Sequence, residues 1–197
     1  MFWSRRKQRI FILAGHPDAN RLTTHLADAY EQGAKEGGHE VRRLNLGSLS
    51  FDPILHHGYA EVQPLEPDLV KVQEEIKWCT HFVLIYPSWW STMPALLKGM
   101  FERMWLPSFA FKFSQGGWWW AGLLKGRSAS VFVLSDSPPL FARLLFGDST
   151  REIKRGILWF SGFSPICIKK IGPLKDISAV RVKQLWHKFI GWGRRAR

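Results

Sequence analysis

Cysteine is scarce in this chain: Cys79 and Cys167 are the only two among 197 residues, and they lack CxxC spacing. That argues against a disulfide framework and against a zinc site, and fits a reducing compartment. Long apolar runs are missing too. Nothing approaches the roughly eighteen consecutive apolar residues of a membrane span. The start, Met1 to Arg9, is basic but has no h-region or small-residue cleavage site behind it, and Ile10–Ala14 is only strand length. The expectation is a cytoplasmic protein. Also absent are G-x-G-x-x-G, G-x-x-x-x-G-K-S/T and G-x-S-x-G. A Rossmann fingerprint, a P-loop and a nucleophile elbow therefore drop out.

Acidic residues are few, 16 against 28 Lys and Arg, for a net charge of +12. The excess sits at the two ends. Residues 1–9 hold Arg5, Arg6, Lys7 and Arg9 without an acid, and residues 151–197 hold twelve cations against Glu152 and Asp176. The middle is slightly acidic. No nucleic-acid motif accompanies the charge, so nucleic acid is not an expected partner. The hydrophobic share of 46% is that of a globular chain, not a disordered one. The length suits one domain.

Apolar runs alternate with amphipathic stretches throughout. Arg9–Ala14, Glu40–Leu46, His81–Tyr86, Ser128–Leu134 and Pro165–Ile171 read as strands. Arg21–Lys35, Pro67–Cys79, Thr92–Trp105, Ser149–Phe160 and Asp176–Trp192 read as helices, with Pro94 in a first turn. Short, strongly apolar strands separated by helices predict a parallel sheet covered on both faces. The expected architecture is a flavodoxin-like, doubly wound α/β domain with strand order 2-1-3-4-5. Residues 107–127, with Gly116-Gly117 and Trp118-Trp119-Trp120, form the longest insertion, which packs as a loop or covers a ligand or a partner copy. Residues 1–8 and 193–197 read as basic tails, and both fall at the lower edge of such a sheet, where they predict a basic patch able to meet anionic lipid.

Ligands of open α/β sheets bind beyond the carboxyl ends of the strands, at the switch in strand order. Three loops qualify. The first, Gly15 to Thr23, joins a strand to a helix start, where free N–H groups and the helix dipole attract phosphate. His16, Asn20, Arg21 and Thr23 can add donors; the other reading is a capped helix with an incidental Arg21. The second, Pro87 to Pro94, sets Trp89 and Trp90 directly after a buried strand, as walls for a planar heteroaromatic ring or as core packing. The third, Ser135-Asp136-Ser137-Pro138-Pro139, closes the same pocket or is a solvated turn. A flavin satisfies all three loops together. His56-His57 lacks the companions of a metal site, so no metal is expected.

At the second loop the chain resembles a known family. Tyr86-Pro87-Ser88-Trp89-Trp90-Ser91-Thr92-Met93-Pro94-Ala95-Leu96-Leu97-Lys98-Gly99-Met100-Phe101-Glu102-Arg103 is similar to the signature of flavodoxin-2-type NAD(P)H:quinone oxidoreductases. The first loop resembles the family's His-x6-Asn/Thr phosphate loop, opened by His16. Ile157-Leu158 to Ser161-Gly162-Phe163 resembles the segment before its last strand. The resemblance spans roughly residues 9–190. It implies a tightly held flavin (FAD, with FMN as the alternative), NAD(P)H as cosubstrate, a quinone as acceptor and a homodimer. It places the flavin phosphates on His16, Asn20, Arg21, Leu22 and Thr23. The ring falls along Pro87, Ser88, Trp89, Trp90 and Ser91, with Ser135 and Asp136 at its other edge.

The chain departs from the mammalian members in two places. Those members carry a tyrosine and a histidine beyond the third loop, where this chain has Leu140-Phe141-Ala142-Arg143-Leu144-Leu145-Phe146. Asp136-Ser137-Pro138-Pro139 replaces their glycines. Arg143 is the one cation there to supply positive charge beside a substrate. The changes leave room for a flavin-bearing ancillary subunit of a potassium-efflux system, or for a related azo- or nitro-reductase.

Overall fold

The computed structural model describes residues 7–114 and 116–197. Its centre is a five-stranded parallel sheet of β1 (Arg9–Ala14), β2 (Glu40–Asn45), β3 (His81–Pro87), β6 (Ser128–Leu134) and β7 (Ile166–Ile171), in spatial order β2-β1-β3-β6-β7. With the small hairpin β4 (Phe111–Phe113) and β5 (Trp120–Gly122) set aside, this is the expected 2-1-3-4-5 arrangement.

Strand alternation sorts the core into two layers. Ile10, Ile12, Val83, Ile85, Phe132 and Leu134 face α1 (Leu22–Glu36) and α5 (Ala179–Gly193). Phe11, Leu13, Phe82, Leu84, Val131 and Val133 face α2 (Pro67–Trp78), α3 (Ala95–Met104) and a π-helix over Glu152–Trp159. Central strands buried on both faces explain why these segments are apolar without alternation. Helices α1 and α5 touch backbone to backbone: a Cβ on Gly33 would lie 2.0 Å from the Ile190 carbonyl oxygen, and one on Gly193 would lie 2.1 Å from that of Tyr30.

Several boundaries differ from expectation. Helix α3 begins at Ala95, with Pro94 as its cap, because the residues before it are spent on a turn. Expected helix 149–160 is π-helical and starts at Glu152. Insertion 107–127 contains the β4–β5 hairpin, turned by Gly116 and Gly117 at φ 94° and 74°. Residues 139–146, which carried no assignment, form helix α4 (Pro139–Phe146), where Pro139 occupies the first turn that its ring tolerates. The segment 193–197, expected as a tail, closes α5, and Arg194 holds Glu36 through Nε at 2.8 Å.

Gln8, just before β1, and Arg194, just after α5, meet at the lower edge through His39. The Gln8 N–H donates to His39 Nδ1 (3.1 Å), while His39 Nε2 lies 3.4 Å from the Arg194 carbonyl. The expected basic patch is partly neutralised there, since Lys7 pairs with Glu40 at 2.9 Å and Arg194 with Glu36. Arg5 and Arg6 lie outside the described residues. No helix among the described residues is long and apolar enough to cross a membrane.

Candidate functional site

The first loop is drawn tight against β3, where the Gly15 N–H donates to the Ile85 carbonyl at 2.7 Å. A Cβ on Gly15 would come within 2.9 Å of Leu97 and 3.3 Å of that carbonyl oxygen. Beyond it, the Asp18 N–H donates to His16 Nδ1 at 2.8 Å. Asp18 then accepts from the Asn20 N–H at 2.9 Å and from Arg21 Nε at 2.7 Å. The Asn20 N–H, followed by Arg21 and His16, holds the Asp18 carboxyl below its ordinary value. A carboxylate thus already sits on two of the expected phosphate donors, and it reports that they suit an anion.

Arg21 caps α1 without a side-chain bond, and the first bonds of the helix run from the Thr24 and His25 N–H groups back to the Arg21 carbonyl. The N–H groups of Leu22 and Thr23 precede that ladder and remain to be offered to a ligand. The Thr23 side chain is buried, so its contribution is the backbone. Thr24 Oγ1, in the same turn, is buried without a hydrogen-bond partner.

In the second loop the Ser88 N–H donates to the Leu134 carbonyl at 2.6 Å, which ties the ends of β3 and β6 together. Trp89 and Thr92 exchange backbone bonds of 2.9 and 3.0 Å around Trp90 and Ser91, at φ 50° and 61°. Left-handed backbone at both central positions is the hairpin geometry that normally selects Asn or Gly. Here it carries a tryptophan and a serine, a cost on the order of 1–2 kcal/mol per residue. Strain of this kind gathers where a side chain must be aimed.

That turn separates the two indoles. Trp89 is 44% exposed and meets His16, whereas Trp90 is fully exposed. The pair is therefore not one flat platform: Trp89 walls the side toward the first loop and Trp90 walls the side toward the third.

The third loop is bound to β7 and to the residues just beyond that strand. The Ser135 N–H donates to the Ile171 carbonyl (2.9 Å), and the Leu174 N–H to the Ser135 carbonyl (3.0 Å). Gly172 allows this approach, since a Cβ there would lie 2.6 Å from the Ser137 carbonyl oxygen. Between the second and third loops opens a cleft of about 320 Å³. Ser88, Trp90, Ser91, Ser135 and Asp136 line it, and so do Pro139, Ala142 and Phe146 of α4, Ser149, and Lys170 of β7. His16, Asn20, Arg21, Leu22 and Thr23 lie outside this cleft, and so do Pro87 and Trp89; Trp89, whose neighbours Ser88 and Trp90 line the cleft, meets His16 of the first loop. Loop and cleft together fit a group with an anionic tail and a planar head.

Helix α4 presents two faces. Pro139, Ala142 and Phe146 turn to the cleft, while Leu140 and Leu144 are exposed on the helix and line none of it. Arg143, the cation expected beside a substrate, is exposed and does not line the cleft; Lys170 does. Sequence reasoning passed over Lys170, although a charged doublet at the end of an apolar strand, Ile166-Cys167-Ile168-Lys169-Lys170-Ile171, was its signal.

Other candidates take structural roles. Trp120 stacks on Phe160 at 4.7 Å and donates to its carbonyl, whereas Trp118 and Trp119 are exposed. His56 is engaged by Asp52 at 2.6 Å, and no cluster of three metal-binding side chains occurs among the described residues. A larger hollow of about 460 Å³, lined by Lys154, Arg155 and Trp159, sits at the start of β7, the opposite end of the strand from the three loops.

Comparison with known proteins agrees with this arrangement. The chain is 30% identical over 114 residues to the uncharacterized NAD(P)H oxidoreductase YcaK of Escherichia coli (strain K12), a match covering 54% of this chain and 57% of that protein. The chain thus spans little more than half the length of that relative. Two solved structures share the fold. An NAD(P)H:quinone oxidoreductase from Methanothermobacter marburgensis has TM-score 0.80 at 22% identity, covering 97% of this chain and all of the other. An FMN-dependent NADH-azoreductase from Bacillus anthracis, in complex with FMN, has TM-score 0.70 at 18% identity, covering 94% of this chain and 97% of the other. Residues 8–181 match the model of the flavodoxin-like fold family, Flavodoxin_2, and the chain belongs to that family.

Proposed function

We propose that this protein is a flavin-dependent NAD(P)H:quinone oxidoreductase. The observation that carries the reading is the union of an anion-ready helix start with a cleft at the ends of β3 and β6, joined where His16 meets Trp89. The names of the relatives, NAD(P)H oxidoreductase and quinone oxidoreductase, support it. A bound flavin supplies the two-electron chemistry: hydride from NAD(P)H, then passed to a quinone that visits the same place, in a ping-pong order.

The chain's own residues bind and aim. The N–H groups of Leu22 and Thr23, with His16, Asn20 and Arg21, hold the phosphates, and Arg21 exchanges Asp18 for them. Pro87, Ser88, Trp89, Trp90 and Ser91 line the ring, largely through backbone groups, and Ser135 and Asp136 edge its other side. FAD is the reading from the family resemblance and FMN the alternative, which the FMN-bound azoreductase structure supports. Exposed apolar side chains of α4, together with Trp118 and Trp119, suit cover by a second copy in a homodimer. Two unpaired cysteines suit a cytoplasmic location. The basic ends suit contact with anionic lipid on the edge away from the cleft.

The visible spectrum of purified protein, with mass identification of the released cofactor and NAD(P)H oxidation by a soluble quinone, tests the reading. A colourless protein that takes up neither FAD nor FMN overturns it. Bound flavin with negligible turnover assigns the ancillary-subunit role instead. Faster turnover with azo or nitro compounds than with quinones changes the acceptor and keeps the rest.

A further inference from the structure

Reduction of a quinone by hydride turns both C=O groups into C–O bonds of an aromatic ring: one oxygen carries the transferred hydrogen as a hydroxyl, and the other is left as a phenolate oxyanion that takes a proton from solvent to give the hydroquinone. The hydride comes from NAD(P)H by way of the flavin, and NAD(P)H ends as NAD(P)⁺. A site that performs this step gains from a fixed cation or hydrogen-bond donor where the oxyanion forms. The tyrosine and histidine that flank the substrate in mammalian members are absent here, and Phe146 and Ala142 line the cleft with carbon.

We infer that Lys170 is the acceptor-binding cation of this cleft, held in place by Asp148. This rests on the proposed oxidoreductase reading. Among the described residues, Lys170 is the only cation that lines the cleft. Strand alternation sends it to the opposite side of β7 from Lys169, whose ammonium lies by the Phe132 and Trp192 rings at 5.2 and 5.3 Å. The Lys170 side chain is 23% exposed, and its Nζ lies 3.0 Å from Asp148 Oδ1. That carboxylate oxygen also accepts from the Thr150 N–H (3.2 Å) and hydroxyl (2.7 Å), so it is fixed before Lys170 reaches it. An ammonium has three protons, and one contact leaves donors to spare. Val133, Ala142, Phe146 and Trp90 give the cleft apolar walls, beside which an ammonium acts on a bound carbonyl more strongly than in bulk water. The other charged lining residue, Asp136, is an exposed acid that offers no donor.

The ligand class is a planar carbonyl compound whose oxygen gains negative charge. Asp148 acts as a positioning residue. The probes are 4-nitrophenolate, a stable mimic of the oxyanion, and 4-nitroanisole, its neutral ether, both titrated into the protein as purified. Phenolate should bind about tenfold or more tightly than the ether. The bound phenol should also ionise at least one pH unit below its value in solution, read by its absorbance. Lys170→Met should bring the phenolate preference to about twofold or less, Lys170→Arg should keep most of it, and Asp148→Asn should fall between. In stopped flow, Lys170→Met should slow reoxidation by quinone more than reduction by NAD(P)H, by about tenfold or more. An unshifted phenol ionisation in the wild-type protein overturns the inference without any variant. A phenolate preference that survives Lys170→Met overturns it as well. Failure to bind flavin would remove the oxidoreductase reading but leave the phenolate titration to be read on its own.

Discussion

His16 and Trp89 meet edge to face, with ring centroids 5.4 Å apart and planes at 84°. This contact bridges the loop after β1 and the loop after β3, and so joins the anion end of the candidate site to its ring end. Aromatic contacts of this kind contribute about 0.5–1.5 kcal/mol beyond the area they bury. Trp89→Ala is expected to weaken flavin binding roughly tenfold while the far-ultraviolet circular dichroism stays unchanged. Flavin fluorescence titration measures it; unchanged affinity would place the ring elsewhere.

The strained turn makes a second, separable prediction. Trp90 is fully exposed at φ 50°, so its removal forfeits little packing. Trp90→Gly relieves the left-handed backbone but loosens the unfolded chain by a comparable amount. Stability should stay within about 1 kcal/mol by urea denaturation, while the KM for quinone rises. A large loss of stability would mean that the indole is structural.

Arg103 is the most deeply buried cation among the described residues. Its side chain is fully enclosed, and its guanidinium donates to the carbonyls of Asp52 and Pro64 (2.7 Å for the latter) and to both Glu66 oxygens at 3.1 and 3.0 Å. It thereby pins the loop 52–66 onto α3. Arg103→Met takes the guanidinium from two carbonyls and from Glu66, which keeps the Asp52 N–H and is partly exposed, at a cost of about 3 kcal/mol, the lower end for a broken buried pair. The midpoint of denaturation should show this, with Arg103→Lys retaining part of the loss.

The close approach of α1 and α5 depends on two glycines. Gly33→Ala and Gly193→Ala each place a methyl inside the backbone of the opposite helix, and the helices must separate. Each is expected to cost about 3 kcal/mol, the upper range for overpacking. Stability unaffected by either change would contradict the packing described.

His81 sets a pH dependence. It is buried between Ser128 Oγ at 2.8 Å and the Tyr30 hydroxyl at 3.4 Å. Burial, then the nearby charges of Lys169 and His39, pushes the imidazole from its ordinary 6.5 down to about 4. The unfolded chain therefore binds a proton between these values while the folded one does not. Stability from this group is complete above pH 6.5 and is lost as pH falls toward 4, by roughly 3 kcal/mol. Asp148, held below the usual carboxylate range by the Thr150 hydroxyl and then Lys170, adds a loss only at still lower pH. His81→Gln should flatten the profile between pH 7 and 4; an equally steep profile would exclude His81 as its source.

Much of the fold was legible because it is local or periodic. Apolar runs such as Ile10–Ala14 and Phe82–Tyr86 are fully buried on both faces, and burial of that kind leaves a plain signature in composition. The spacing of Leu26, Ala29, Tyr30 and Gly33 marks the face of α1 in the same way. Strand–helix alternation then limits the topology, since parallel crossovers have one hand. The loops of the site come from that topology by position alone.

The hidden features depend on atoms far apart in the chain. That Trp89 turns to His16 while Trp90 turns to solvent comes from two positive φ angles inside a closed turn, which no propensity reports. Helix α4 escaped notice because an eight-residue segment with no buried side chain has too little periodic signal to stand out. Arg143 was the expected cation of the site because it is near the third loop in sequence. Lys170 lies there in space because β7 runs beside β6, pairing Lys170 with Val133, and because Asp148 accepts its ammonium across a separation of 22 residues. Sequence alone determined which segments are buried, since that is set by each residue's own affinity for water, and it narrowed the order in which they stack through strand–helix alternation and the single hand of parallel crossovers. Only tertiary structure decided which charge reaches the cleft, because that requires two strands in register and a partner carboxylate to hold the ammonium still.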